Sequence, residues 1–428
     1  MIGHRKSSDA PRLDHARRLF TALGEGLDLD LAVRLWDGSL VPLGPSVSSG
    51  YEVVIVGPHV LSSLIRRPTR DNLLLHYANG NLRIEGGDTM GFIAAANLGL
   101  GFKKLRQTSK AAVLRAAFRV ALTPPAHAKP LSDARGKVDS EDLIRFHYDI
   151  GNEFYALFLG EEMQYSCAYF RDREFPDREN DLDEAQRDKL DIICRNLRLE
   201  PGDRFLDVGC GWGGLLCHAA KNYGVQAHGV TLSPAQFDYA TEKIHREGLK
   251  GQVTIQLADY QDLVGTYDKI ASIEMIEHIG LSQYPAYLGK LRSMLVDRGL
   301  LLNQGTTRRA KRTARRSRRL RRGSRMLERY VFPGFELDNI GHTISMLEAE
   351  RFEIQHVEGW RDHYAETTRR WCRNLWEKQE EAEALAGPEK TRLWLAYLAA
   401  VSVAFQGGTL RVYQIVASKH AARGPVDG

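Results

Sequence analysis

The sequence predicts an α/β fold: a doubly wound, mostly parallel sheet preceded by a smaller α+β domain. Three observations carry this. Phe205-Leu-Asp-Val208, a glycine cluster (Gly209, Gly211, Gly213, Gly214) and apolar Leu215 to Ala220 read as strand, tight turn and helix, the opening of a nucleotide-binding βαβ unit. Four further strand patterns alternate with helical stretches between Val225 and Gly305. Pro124, Pro125 and Pro130 break the chain well before this region. The expected division is therefore a docking domain over 1–123, a linker over 124–138 and a main domain over 139–428.

In chain order, Asp9 to Gly24 reads as a helix. Leu31 to Trp36 and Ser39 to Leu43 read as a hairpin turning at Asp37-Gly38. Tyr51 to Val56 is a strand, and Asn79-Gly80 is a second turn signal inside Leu73 to Gly86. Ala96 to Leu122 has a helical period and is basic. Either it packs on a core with a solvated face or it lies on an anionic membrane. No His, Cys and carboxylate cluster marks a separate active site in this part. Asp183 to Leu197 is an amphipathic helix leading into the strand at 205.

Beyond the glycine turn, Val225 to Ser233 is a second strand and Pro234 opens its helix with Ser233 as N-cap. Val253 to Tyr260, Tyr267 to Ile273 and Gly299 to Gly305 complete the series. Ligands of such sheets sit at the carboxyl ends of the strands, where Gly209, Thr231, Asp259, Glu277 and Gln304 fall. The glycine spacing is not Gly-x-Gly-x-x-Gly, and no Gly-Lys-Ser/Thr follows it. Asp207-x-Gly209-x-Gly211 is instead the pattern with which methyltransferases hold S-adenosylmethionine.

Composition narrows the class. The chain has 428 residues, 43% hydrophobic and 26% charged, with no apolar run of membrane-spanning length and no signal-peptide core near Met1. Its five cysteines show no zinc spacing, which suits a reducing cytoplasm. The net charge of +5 is local: eleven Lys or Arg and no acid lie between Thr306 and Leu327, and the remainder is mildly acidic. That run is expected to favour peripheral association with the inner membrane face.

Longer motifs now become specific: His147-Tyr-Asp-Ile-Gly-Asn152, Tyr165-Ser-Cys-Ala-Tyr-Phe170, Asp207 to Gly213, Thr231-Leu-Ser233, Glu277-His278, Tyr330-Val-Phe-Pro-Gly334 and His363-Tyr-Ala365. In this order they make the chain similar to the cyclopropane-fatty-acyl-phospholipid synthases, including mycolic-acid cyclopropane synthases, over about residues 140 to 415. The resemblance implies a class I methyltransferase domain acting on double bonds of phospholipid acyl chains. It implies that Tyr165 and Ser166 contact S-adenosylmethionine and that Asp207, Gly209, Cys210 and Gly211 hold its methionine part. Thr231, Leu232, Ser233 and Gln236 would reach the ribose, Asp259, Tyr260 and Gln261 the adenine, and His278 belongs with the same group. Cys167, Glu277 and Tyr364 correspond to family residues that bind a bicarbonate ion, the base of the reaction. Gln304 stands where the family usually has histidine, and the position of a C-terminal family cysteine falls near Val401.

The chemistry needs no Ser or Cys nucleophile, because the double bond attacks the methyl group. Aromatic faces, here Tyr165, Tyr169, Phe170 and Tyr364, can stabilise the resulting cation. A base removing a proton from the new methyl closes a cyclopropane. Proton loss without ring closure instead leaves an unsaturated branch, a methyl group on a retained double bond or, after a 1,2-hydride shift, an exocyclic methylene, the outcome associated with glutamine at position 304. Glutamine can hydrogen-bond an anion but cannot relay a proton near neutral pH. Nucleic-acid methylation, suggested by the arginine run, lacks an Asn-Pro-Pro-aromatic or Pro-Cys element, and no nucleic-acid partner is expected. A small-amine methyltransferase would not need the first domain. A catalytically dead lipid-binding protein fits poorly with intact Asp207, Gly209 and Glu277. A homodimer is left open.

Overall fold

The computed structural model describes residues 10–27, 29–96, 110–125, 150–171, 181–310 and 336–420. The motifs at 147–149 and 330–334, most of the linker at 124–138 and most of the arginine run lie outside them. Two compact units are present: residues 1–132 with 372–399, and 133–371 with 400–428. The first unit thus takes in a C-terminal segment that the sequence division at 123 does not contain.

The first unit contains α1 (Ala10–Gly24), β1 (Ala32–Arg34), β2 (Leu40–Pro42), β3 (Glu52–Ile55), α2 (Pro58–Arg66), α3 (Arg70–Ala78), β4 (Leu82–Glu85), α4 (Thr89–Ala96) and α5 (Lys110–Ala121). The Asp37-Gly38 hairpin forms, pairing Ala32 with Pro42 and Arg34 with Leu40. Asn79-Gly80 joins α3 to β4 rather than two strands: Asn79 ends the helix with its N–H on Leu75 O, and Gly80 takes a φ of +73°. The sheet order is β2-β1-β3-β4.

The second unit holds α6 (Asn152–Leu159), α7 (Asp181–Asn196), β5 (Arg204–Val208), α8 (Gly214–Tyr223), β6 (Gln226–Thr231), α9 (Pro234–Arg246), β7 (Val253–Leu257), β8 (Tyr267–Ile273), α10 (Ile276–Ile279), α11 (Tyr284–Met294), β9 (Leu295–Arg308), α12 (Ile340–Ala349) and β10 (Phe352–Gly359). After α13 (Arg361–Glu377), α14 (Gln379–Ala386) and α15 (Pro388–Gln406), β11 (Leu410–Lys419) completes its sheet. The order is β10-β11-β9-β8-β5-β6-β7. Pairs from β7 to β9 are parallel, and β11 lies antiparallel to both β9 and β10.

Period-two alternation on β5 builds a core on each side of the sheet. Phe205 packs with Leu190, Ile193 and Leu216 on one face, while Leu206 and Val208 pack with Tyr287, Leu291 and Leu347 on the other. Chain order reverses between β5 and β8, the switch point where such sheets open a crevice. Ser233 caps α9 as its sequence position predicts, accepting from the Gln236 N–H. The two last strands escape the sequence reading because their polar positions hide a simple alternation. Gln304 also lies inside long β9 rather than beyond a strand end.

Candidate active site

The end of β5 makes a cradle. Gly209, Gly211 and Gly213 have φ of +78°, +54° and +79°, values that a side chain makes costly. A Cβ on Gly209 would meet Met275 Sδ at 2.3 Å, whereas one on Gly211 would point into open space. The N–H groups of Gly209 and Cys210 both go to Val230 O at 3.0 Å, which pins the turn to β6. Asp207 is buried and its Oδ1 has no hydrogen-bond partner. Burial raises its carboxyl to about 7, opposed by the Lys189 ammonium. Trp212 and Asn152 tie the turn to α9: Trp212 Nε1 donates to Asn152 Oδ1 (2.8 Å), and Asn152 Nδ2 donates to Ala235 O (2.9 Å).

The other expected cofactor residues vary in what they leave available. Thr231 and Gln236 are buried and bonded to each other at 2.7 Å, and Thr231 Oγ1 also accepts from Ser233 N–H. Leu232 beside them is half-buried. Asp259 accepts from Gln261 N–H at 2.8 Å, Tyr260 packs edge-on against Tyr287 at 5.0 Å, and Gln261 is exposed. Burial lowers the His278 imidazole to about 4, so it is neutral. Ser166 is buried, its hydroxyl accepting from Lys189 Nζ at 3.0 Å.

A second cluster lies between β8, β9 and α13, and its centre is Glu274. The sequence reading ends a strand at Ile273, just before this residue, and gives it no role. Its carboxylate accepts from Cys167 N–H (3.0 Å), Gln304 Nε2 (3.1 Å) and Tyr364 Oη (2.5 Å). Two of the three residues expected around a bicarbonate ion, Cys167 and Tyr364, are therefore engaged by a carboxylate belonging to the chain, as is Gln304. The cause of this arrangement is local. Glu274 has φ +55°, and its N–H bonds to Gln304 O at 2.7 Å, so the chain turns back and places the side chain among these donors.

Cys167 contributes its backbone N–H. Its buried thiol, raised well above the usual range by desolvation, faces the carbonyls of Ala168 and Trp360. Gln304 is fully buried and cannot turn: Gln414 Nε2 donates to its Oε1 at 3.1 Å, and Asn196 Nδ2 donates to Gln414 Oε1 at 2.5 Å. This chain of amides leaves the Gln304 NH2 for Glu274. Glu277 accepts one bond, from Thr306 N–H at 2.9 Å, and its buried Oε2 has no hydrogen-bond partner.

Both carboxyls are pushed up by burial, and Glu277, with Glu274 adjacent, reaches about 8. The three donors on Glu274 and the nearby Lys189 charge favour the negative charge on Glu274 and the proton on Glu277. Lys189, fully buried on α7, donates to Gln164 Oε1 (2.6 Å) and Ser166 Oγ (3.0 Å), and burial brings it down to about 8. Its charge favours the ionised form of Glu274. Among the sequence signals, Glu-x-x-Glu immediately after a buried strand was the available clue to Glu274; Lys189 and Gln414 had none.

Aromatic rings line this region. Tyr165 lies 5.6 Å from Tyr155 and 5.3 Å from Trp371, and Tyr364 stacks on Phe405 at 4.5 Å. Tyr169 stacks instead on His363 at 4.5 Å, and Phe170 lies under the Arg370 guanidinium. Of the four aromatics singled out in the sequence, Tyr165 and Tyr364 therefore share Trp371 as a neighbour.

A doubly wound sheet with this strand order, a glycine turn after β5 and acids after β8 defines an S-adenosylmethionine-dependent methyltransferase of class I. Residues 136–415 match the family model described as mycolic acid cyclopropane synthetase, and the chain belongs to that family. It is 36% identical to a probable fatty acid methyltransferase of Pseudomonas putida, covering 94% of this chain and 95% of the relative. It is 34% identical to sphingolipid C9-methyltransferase 2 of Gibberella zeae, covering 65% of this chain and 53% of that protein. A crystal structure of mycolic acid cyclopropane synthase CmaA1 complexed with SAH and CTAB aligns with TM-score 0.61 and 29% identity, covering 65% of this chain and 98% of that one. No helix among the described residues is long and apolar enough to cross a membrane.

Proposed function

We propose that this enzyme methylates a carbon–carbon double bond in a lipid acyl chain, and that Glu274 is the base that resolves the resulting cation. The single observation behind this is the Glu274 carboxylate, held by Cys167 N–H, Gln304 and Tyr364. The β5 turn fits S-adenosylmethionine: it offers the open approach at Gly211 and an unpartnered buried oxygen on Asp207. The similarity to CmaA1, solved with SAH, supports that ligand. Asp207 and Gly209 to Gly211 would hold it, with Leu232, Asp259 and Tyr260 beyond. When bound, S-adenosylmethionine supplies an electrophilic methyl group on a sulfonium.

The residues of the chain do the rest. Tyr165 and Tyr364, backed by Trp371, present π faces to developing positive charge. Glu274, kept ionised by three donors and by Lys189, accepts the departing proton. Glu277 stays protonated, which keeps a second negative charge out of the pocket. Bicarbonate is not needed in this scheme, because a carboxylate already occupies its donors.

The substrate we favour is an unsaturated phospholipid. Because Glu274 sits on the groups that the family resemblance gives to the base, loss of a proton from the new methyl, and hence a cyclopropane, is the first reading. A methyl or methylene branch is the second, favoured by the names of the fatty acid and sphingolipid methyltransferase relatives. Purified protein, S-adenosylmethionine with a labelled methyl group and a mono-unsaturated phospholipid test the proposal. Label should enter the acyl chain, and ring-proton signals in NMR distinguish cyclopropane from branch. Label confined to a head group or a nucleic acid would end it.

A further inference from the structure

Helix α5 has two unlike faces. Val113, Ala116, Ala117 and Val120 pack into the core of the first unit. Its C-terminus is anchored there: the Arg66 guanidinium donates to Ala121 O at 2.6 and 2.9 Å, and Ser62 Oγ donates to Thr123 O at 2.5 Å. The opposite face is apolar and in water. Leu114 and Phe118, with Leu122 in the turn directly after the helix, each four residues apart, are 68%, 68% and 67% exposed. Residues at this spacing form one continuous stripe. Arg115 and Arg119 are exposed along its edge. The surrounding sequence has a single sign of charge: between Asp88 and Asp133 there are seven Lys or Arg and no acid. Single exposed hydrophobics are ordinary, but a stripe of three with cations beside it matches helices that lie in a lipid interface.

We propose that the Leu114–Phe118–Leu122 face of α5 docks on the surface of an anionic lipid bilayer, its apolar side chains entering the headgroup boundary while Arg115 and Arg119 meet acidic headgroups. The inference rests on the reading that the substrate is a lipid, and it assigns the surface that meets the membrane. The opposite face is already anchored in the core, so docking needs no unfolding of the helix.

The test uses the full chain and vesicles of phosphatidylcholine with or without phosphatidylglycerol. All five native cysteines are buried, so Phe118→Cys introduces the exposed thiol for an environment-sensitive fluorophore. Its emission should shift to the blue on anionic vesicles. The triple variant Leu114→Ser, Phe118→Ser, Leu122→Ser should lose vesicle partition by roughly a hundredfold. Arg115→Gln with Arg119→Gln should lose about thirtyfold on anionic vesicles and little on neutral ones. Methyl transfer to detergent-dispersed phospholipid is measured in parallel and should survive in every variant. Unchanged vesicle partition in the triple variant with no shift from position 118 would overturn the inference, while methylation of dispersed lipid in the same samples would leave the proposed function standing. So would a dimer that dissociates in the triple variant while its partition is unaltered, since the stripe would then face a second copy.

Discussion

Glu274→Gly is the most informative single change. Glycine suits the backbone there, because φ is +55° and removing Cβ relieves about 1 kcal/mol of left-handed strain. The change opens a volume lined by Cys167 N–H, Gln304 Nε2 and Tyr364 Oη, all aimed at a carboxylate that is no longer present. Each hydrogen bond to a charged acceptor is worth about 1.5–3 kcal/mol, so a small planar anion should fill the gap. Loss of the tethered base should lower methyl transfer by about 10²–10⁴-fold. Bicarbonate at millimolar concentration should restore much of it, formate less, and chloride none. Glu274→Gln, which keeps the volume filled, should be equally slow and insensitive to all three. The assay is methyl incorporation into phospholipid, with cofactor affinity by calorimetry and folding by circular dichroism as controls. An unchanged rate for Glu274→Gly without added anion would refute the assignment of the base. So would failure of every anion to rescue a folded, cofactor-binding variant.

Asp207 is protonated in the folded protein over a range where the unfolded chain is ionised, since burial lifts its carboxyl from 3.8 to about 7. Its contribution to stability is therefore greatest below pH 3.8 and is lost as pH rises through 7, so Asp207→Asn should flatten the pH dependence of Tm and, above pH 7, raise stability by on the order of 4 kcal/mol at most, read as a higher Tm; a Tm that falls equally at pH 5 and pH 8 would contradict this. Gly209→Val forces a Cβ to within 2.3 Å of Met275 Sδ at φ +78° and should weaken S-adenosylmethionine binding by roughly tenfold or more, read by calorimetry; unchanged affinity would remove the turn from the binding site. Gln304→His breaks the amide chain through Gln414 and replaces a neutral donor with a titratable one, so the ratio of branch to ring product should move toward cyclopropane. An identical product ratio and rate in wild type and variant would show that position 304 does not govern proton loss.

The sequence by itself determined the βαβ opening at Phe205 to Ala220, the alternation of strands and helices to Gly305, and the capping of α9 by Ser233. These depend on neighbours within a few residues, and glycine, proline and apolar period report them directly. It also brought Cys167, Glu277, Gln304 and Tyr364 to notice, through motifs. Only the tertiary structure decided what these residues do together. Glu274 reads as a residue just past a strand until β9, the segment at Cys167 and α13 are folded around it, and then three donors from three separate stretches converge on its carboxylate. Gln304 and Gln414 are 110 residues apart, so the amide chain that fixes the Gln304 donor has no local signature. Lys189 looks like a solvated charge on an amphipathic helix, yet it is fully buried against Gln164 and Ser166. Burial and convergence are properties of contacts between distant segments, and one linear period cannot encode them.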